Sequence, residues 1–409
     1  MEQYYANIDG INQGPFDVAE IKNQINKKKI SRLTYLIQVG SENWVLAKDV
    51  EGLFLPIPNF PPLPSDIKDL NQKQFNFNQI SNVKEIGIQS LSDLITERLG
   101  LEKIEGFSLG SFFSQVFGKH DPNEIENLFT VGSILTTPKL NPSMGQLPNP
   151  WLFFRVLIGT VFVYFLFLIC WYKFENHIVI PGLIMVGSFA VPISVLILFF
   201  EINTPRNVSI VRITKLVIMG GALSILISLI LFEVTPFLGM FGASAAGIIE
   251  EIGKLATVLF VMRMLPMSRY PYLINALLFG AAVGTGFAAF ESAGYALVIG
   301  FSNSDEMINN ITVRGALSPF AHIAWTAIAT GAYWIARKNY TDLWATIKSK
   351  QFLSLFMVPV LLHFIWNMPF TIPYFVNYWV LGFIAWVVIF SLIQTSMKEI
   401  RSACQVYQE

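Results

Sequence analysis

The sequence predicts an all-α polytopic membrane protein of about eight transmembrane helices, preceded by a small soluble α+β domain. Three observations carry that prediction. Of 409 residues, 53% are hydrophobic and 14% charged, with a mean hydropathy of +0.51. The charge is unevenly shared: residues 1–150 hold 30 charged side chains, whereas the longer stretch 151–409 holds only 26. That second stretch also contains repeated apolar runs of roughly 20 residues, the length that crosses a bilayer. A soluble globular enzyme and a disordered chain are both excluded. Net charge is zero and no basic block stands out, which argues against a nucleic-acid partner. Two cysteines, Cys170 and Cys404, leave no room for a disulfide framework or a cysteine-rich metal site. The N-terminus opens on charged and polar residues without an apolar run, so no cleaved signal peptide is expected.

Residues 1–55 mix apolar and polar positions around a turn at Asn12-Gln13-Gly14-Pro15 and a lone Trp44. They read as a small α+β module. Pro56, Pro58, Pro61, Pro62 and Pro64 follow as a polyproline-prone linker. Residues 66–140 are polar with short amphipathic stretches at 91–95 and 112–117, expected to pack on the membrane domain or lie at the interface. The region 56–148 is therefore linker and juxtamembrane chain, and 149–400 is the membrane domain. Asn149-Pro150-Trp151 starts the first span: proline suits a helix's first turn and tryptophan the headgroup level.

Eight spans are expected, at 151–172, 178–200, 212–232, 237–262, 271–300, 315–336, 352–369 and 373–396. With a cytoplasmic N-terminus, the inner loops and tail carry Arg206, Arg212, Lys215, Arg263, Arg269, Arg337, Lys338, Lys348, Lys350, Lys398 and Arg401, and the outer ones only Lys173 and Arg314. This bias sets both termini in the cytoplasm. Gly280 and Gly284 form a small-xxx-small pattern that favours close helix packing. Lys27-Lys28-Lys29 reads as a solvated face. His120 and His177 fall outside the spans and call for no role. Glu201 and Glu233 lie at span ends, where they reach water.

Ionisable groups at bilayer depth are costly and mark functional sites by default. Here they are few and ordered: Glu250, Glu251 and Lys254 on the fourth span, Glu291 on the fifth, Arg314 and His322 on the sixth, His363 and Asn367 on the seventh. Glu250 and Lys254 are i,i+4 and share a face; Glu251 points about 100° away and lacks that partner. His363 and Asn367 share a face, as do Arg314, Ser318 and His322 over two turns. Both histidines lie roughly 10 Å below the outer surface at 1.5 Å per residue. A polar pocket in the outer half of the membrane hides them all.

Such a pocket supports more than one chemistry. A desolvated carboxylate near histidine can deprotonate water for attack on a peptide carbonyl, with His and Asn donors steadying the oxyanion. Alternatively His322, His363 and Glu291 could hold a metal, zinc being the fitting ion, with another Glu as base. No HExxH stands behind the metal reading. A transporter, or a non-proteolytic membrane adaptor, could use the same carboxylates for ion or substrate binding.

Glu-Glu-x-x-Lys at 250–254, Gly-Phe-Ala-x-x-Glu at 286–291, Arg314 with His322 eight residues on, and His-x-x-x-Asn at 363–367 resemble the four ordered motifs of the PrsW family. That family comprises intramembrane proteases related to the CAAX prenyl protease and bacteriocin-processing superfamily, and the resemblance covers roughly 150–400. It implies cleavage of a membrane-protein substrate, such as an anti-sigma-factor-like regulator, in a bacterial inner membrane. It further implies a catalytic core of Glu250, Glu251 and His322, lined by Lys254, Glu291, Arg314, His363 and Asn367. Ser292 stands where many relatives have Asn.

Tyr4-Tyr5, Gly10, Gly14-Pro15-Phe16 and Trp44 likewise resemble the second type of GYF domain. That resemblance implies an aromatic cradle of Tyr5, Phe16 and Trp44 for a proline-rich peptide. The same rings could instead form the core of so small a domain.

Overall fold

The computed structural model describes residues 3–8, 11–27, 29–31, 34–41, 43–47, 50, 53, 93–101, 109–120, 122–263, 267–340, 342–370 and 372–406. The proline run at 56–64 lies outside the described residues. The chain divides into two compact units, one N-terminal and one helical.

In the N-terminal unit, strands β1 (Gln3–Ile8), β2 (Ile11–Asp17), β3 (Tyr35–Gln38) and β4 (Trp44–Leu46) form an antiparallel sheet in the order β2-β1-β3-β4. Helix α1 (Val18–Asn26) starts at Asp17, whose carboxylate accepts from Glu20 N while Glu20 accepts from Asp17 N, a reciprocal capping box. Strand alternation sorts the side chains. Tyr4, Ala6 and Ile8 turn inward onto Ile21, Ile30, Leu36, Ala47 and Leu53. Tyr5 faces the other way, and pairs across the sheet with Ile37, which pairs with Trp44. Tyr5 and Trp44 remain 37% and 39% exposed on one row. Phe16 pairs with Tyr4 and, half-buried, packs against the core, whereas Tyr5 and Trp44 are more exposed.

The helical unit contains α2 (Leu152–Phe174), α3 (Ile180–Ile202), α4 (Ile210–Val234, with a π-turn at Leu216–Gly220), α5 (Ala245–Arg263), α6 (Leu273–Gly300), α7 (Ser304–Leu317), α8 (His322–Ala336), α9 (Lys350–Trp366) and α10 (Val376–Val406). Among the described residues, five helical stretches are long and apolar enough to cross a membrane: Leu152–Phe174, His177–Ile202, Ile210–Val234, Leu273–Gly300 and Pro373–Gln405. The chain is an integral membrane protein. α5 carries Glu250, Glu251, Lys254 and Arg263, and the 15-residue α8 and 17-residue α9 are short. The expected continuous run 315–336 is broken: α7 ends at Leu317, a 3-10 turn covers Ser318–Phe320, and Ala321 (φ −114°, ψ −131°) precedes α8. Pro319 lacks the N–H that a through-running helix would use.

α6 is the axis of the unit. Its most apolar stretch is 94% buried, against 11% for α2, which leaves α2 as a peripheral, lipid-facing helix. Both helices are capped at their N-termini by acids from other helices. Glu201 on α3 accepts from the backbone N–H groups of Trp151, Leu152 and Phe153, each at 2.9 Å. Glu399 on α10 accepts from Leu273 N and Ser396 Oγ from Ile274 N, both at 2.9 Å. Such groups have no partner inside their own helix and favour negative charge. Glu201 is therefore engaged rather than turned to water.

The juxtamembrane chain packs on this unit. Thr204 donates to Met144 O (2.7 Å), Arg401 to Gly145 O (3.1 Å) and Arg269 to Gly132 O. His120, expected to have no role, stacks on Trp151 at 3.7 Å between ring centroids and bonds Glu124 and Gln115 O.

Candidate active site

The site is assembled at crossings of α5, α6, α8 and α9, and glycine sets how close two of these come. A Cβ on Gly247 of α5 would lie 2.4 Å from Phe364 N on α9, and one on Gly284 of α6 would lie 2.5 Å from His322 O. Only a missing side chain allows those approaches. They bring Glu250 and Glu251 against His363, and Glu291 against His322.

Lys254 lies between the two glutamates of its own helix. Its Nζ is 2.6 Å from Glu251 Oε1 and 3.5 Å from Glu250 Oε2. The i,i+4 spacing alone pointed to Glu250 as the partner and left Glu251 without one. In fact the i,i+3 position is equally a neighbour on a helix, and the fully buried Glu251 takes the shorter contact. Lys254 also reaches His322 Nδ1 at 2.8 Å and sits 4.2 Å from the centre of the Phe287 ring.

An ammonium only donates and a carboxylate only accepts, so with both rings neutral the contacts assign their tautomers. His322 Nδ1 accepts from Lys254, so Nε2 carries the proton and donates to Glu291 Oε2 at 3.0 Å. His363 Nδ1 donates to Glu251 Oε1 at 2.9 Å, which leaves its Nε2 lone pair facing Glu250 Oε2, 3.8 Å away. Trp325, one turn beyond His322 on α8, stacks on His363 at 4.4 Å and meets His322 edge-on at 5.1 Å. Sequence reasoning missed this tryptophan; its i,i+3 spacing from His322 was the available signal.

Glu291 is the junction on the other side. Arg314 donates to it and also to Ser292 Oγ (3.0 Å), and lies over Tyr295. Arg314 and His322 are on different helices and do not share a face, yet Glu291 joins them. Ser292 thereby has a clear task in holding the guanidinium. Asn367 follows the last residue of α9 and sends its amide to Ala243 O (3.4 Å), so the structure does not bring it to the carboxylates. Side-chain exposure falls from 28% at Arg314 and 20% at Glu291 to 10% at Glu250 and His322 and zero at Glu251 and Lys254. The cluster opens at its Arg314 end.

Glu250, His322 and His363 each offer a ligand atom within 4.8 Å of the others. Two imidazoles and a carboxylate suit zinc, and Glu250 Oε2 and Glu251 Oε2 are buried without hydrogen-bond partners. The residues present thus fit a divalent cation. Among the described residues the group whose ligand atoms lie close enough is Glu250, His322 and His363, whereas Glu291, a candidate alongside the two histidines, is engaged by Arg314 and His322.

Residues 206–393 match the model of the PrsW family intramembrane metalloprotease, and all the side chains of this cluster fall inside the match. The chain carries a PrsW-family peptidase domain. The match is narrower than the 150–400 suggested by the motifs and leaves α2 and α3 outside it. Residues 4–53 match GYF domain 2. No curated protein and no solved structure matches the chain. A PrsW-family domain makes the chain an intramembrane protease, a hydrolase whose substrates are membrane proteins.

Proposed function

We propose that the chain is a metal-assisted intramembrane endopeptidase whose site is built on Glu250, Glu251, His322 and His363. The observation that carries this reading is the convergence of Glu250, His322 and His363 from three helices beside a second, buried glutamate. These three would hold a divalent cation, zinc being the best fit to the donor set. When bound, such a cation supplies Lewis acidity toward the scissile carbonyl and acidifies water. Glu251 stays outside the ligand set. Its Oε1 orients His363, and its partnerless Oε2 accepts a proton from the attacking water and returns it to the leaving amine. Glu291, steadied by Arg314 and Ser292, orients His322. Burial of Glu251, Lys254 and His363 keeps bulk water from the inner part of the group and strengthens these interactions.

The N-terminal domain is proposed to bind proline-rich peptides on the row formed by Tyr5 and Trp44. The charge bias of the loops supports cytoplasmic termini, and the family likeness a bacterial inner membrane. The substrate, an anti-sigma-factor-like regulator or similar membrane protein, is then cut near its extracytoplasmic end. The test is co-expression with a single-span membrane substrate. Glu250→Gln, Glu251→Gln and His322→Ala should each abolish cleavage while the protein still inserts; full activity in all three overturns the reading.

A further inference from the structure

The two histidines of the candidate metal group are prepared in opposite ways. His363 gives its Nδ1 proton to Glu251 and keeps the Nε2 lone pair free toward Glu250. That is the arrangement in which an outer carboxylate readies an imidazole for a metal. His322 has no free lone pair. Its Nδ1 accepts from Lys254 and its Nε2 proton is given to Glu291. A neutral imidazole has one donor and one acceptor nitrogen, so both are spent.

Neither ring nitrogen can ligate while Lys254 holds on. A cation at Nδ1 would need the lone pair that the ammonium already occupies. A cation at Nε2 would require the proton to sit on Nδ1, and an N–H cannot accept from an ammonium. We propose that Lys254 and a divalent cation compete for His322, so that Lys254 sets the metal affinity and loading requires release of the Lys254–His322 hydrogen bond. This rests on the metal-assisted reading above.

The surroundings give the released ammonium somewhere to stay. Glu251 Oε1 is 2.6 Å from Nζ, Glu250 Oε2 3.5 Å, and the face of Phe287 4.2 Å. Lys254 can therefore leave His322 and remain paired with Glu251, a small side-chain movement. The device favours ions that bind strongly enough to displace a charge-assisted hydrogen bond, and disfavours weak ligands of imidazole such as Mg2+.

The experiment uses the full chain, stripped of metal and held in nanodiscs, with Zn2+ titrated against a chromophoric chelator at one pH. Lys254→Met keeps the length and apolar stem but removes the donor. It should lower the Zn2+ dissociation constant by roughly tenfold to a hundredfold, the equivalent of one hydrogen bond to a charged group. Arg314→Met removes a cation of the same site but leaves Lys254 on His322 Nδ1, so it should not tighten zinc binding as Lys254→Met does. Because Lys254→Met leaves Glu251 buried without its cation, Glu251→Gln/Lys254→Met serves as a charge-balanced second variant with the same expected direction, compared with Glu251→Gln alone. Zinc binding to the wild type that is unchanged or weakened in both lysine variants overturns the competition. Equal tightening in Arg314→Met overturns it too, since the effect would then be charge alone. Absence of zinc binding in the wild type and every variant overturns both this inference and the metal-assisted reading.

Discussion

His363 on α9 donates its Nδ1 proton to Glu251 on α5 across 2.9 Å, and this single contact aims the opposite ring nitrogen at Glu250. Removing the acceptor should release the ring without removing a ligand. Glu251→Ala is expected to weaken Zn2+ binding on the order of 10- to 100-fold. Glu250→Ala, which deletes a ligand outright, should lose more. Elemental analysis after chelator challenge ranks the two; equal retention in both would mean that neither carboxylate bears on the metal.

Arg314 holds Glu291 and Ser292 at once, a two-point grip that lysine cannot copy. Arg314→Lys should lower kcat roughly tenfold or more by letting Glu291, and with it His322, drift. Ser292→Ala loses one hydrogen bond of about 1 kcal/mol and should cost less than about tenfold. Single-turnover cleavage rates measure both.

Close helix approach is needed at Gly284 and Gly247 but not at Gly294, where an added Cβ would meet nothing within 4 Å. Gly284→Val and Gly247→Val should each destabilise the fold by about 1–3 kcal/mol through overpacking and reduce cleavage sharply. Gly294→Ala is the matched control, expected near wild type in activity. Thermal unfolding in detergent, read beside activity, separates the three.

These contacts show what the sequence could and could not convey. The apolar runs and the lysine and arginine bias reveal a membrane protein, and four short motifs bring Glu250, Glu251, Glu291, His322 and His363 to notice, because charges in apolar surroundings are rare. Spacing within one helix could not decide which glutamate Lys254 prefers, since i,i+3 and i,i+4 neighbours are both in reach. Nor could it show the break before His322, which depends on Pro319 and on how α8 packs against α6. Asn367 shared a spacing with His363 that mattered only while the helix continued; α9 ends at Trp366. Glu201 looked solvent-facing because its partners, the N–H groups of 151–153, are 48–50 positions away.

Glu201 accepts three backbone protons at the start of α2 and is, among the described residues, the side chain that caps it. Glu201→Ala should lower stability by about 2–3 kcal/mol, whereas Glu201→Gln, which can still accept, should lose about half of that. Denaturation followed in detergent would rank them. An unchanged midpoint in Glu201→Ala would show that water replaces the cap without loss.

On the N-terminal sheet, Tyr5 and Trp44 lie outward while Phe16 lies inward. Trp44→Ala and Tyr5→Ala should each weaken binding of a labelled proline-rich peptide to the full chain by roughly tenfold or more, without loosening the domain. Phe16→Ala should instead increase proteolysis within residues 1–55, as expected for a core truncation of about 2 kcal/mol. Peptide anisotropy and limited digestion give the two readouts.

The cap on α6 ties together two distant parts of the chain. Leu273 and Ile274 find their acceptors on Glu399 and Ser396, well over a hundred residues further along the chain. In the order of synthesis α6 precedes those acceptors, and among the described residues only Asn275 Oδ1, which accepts from Tyr272 N, caps this turn from within α6 itself. The helix that carries Glu291 therefore has two of its leading N–H groups satisfied by a segment that follows it by more than a hundred residues. Anchoring of the axial helix and placement of α10 are thus coupled: the contacts that close the start of α6 are the same ones that seat α10 against it.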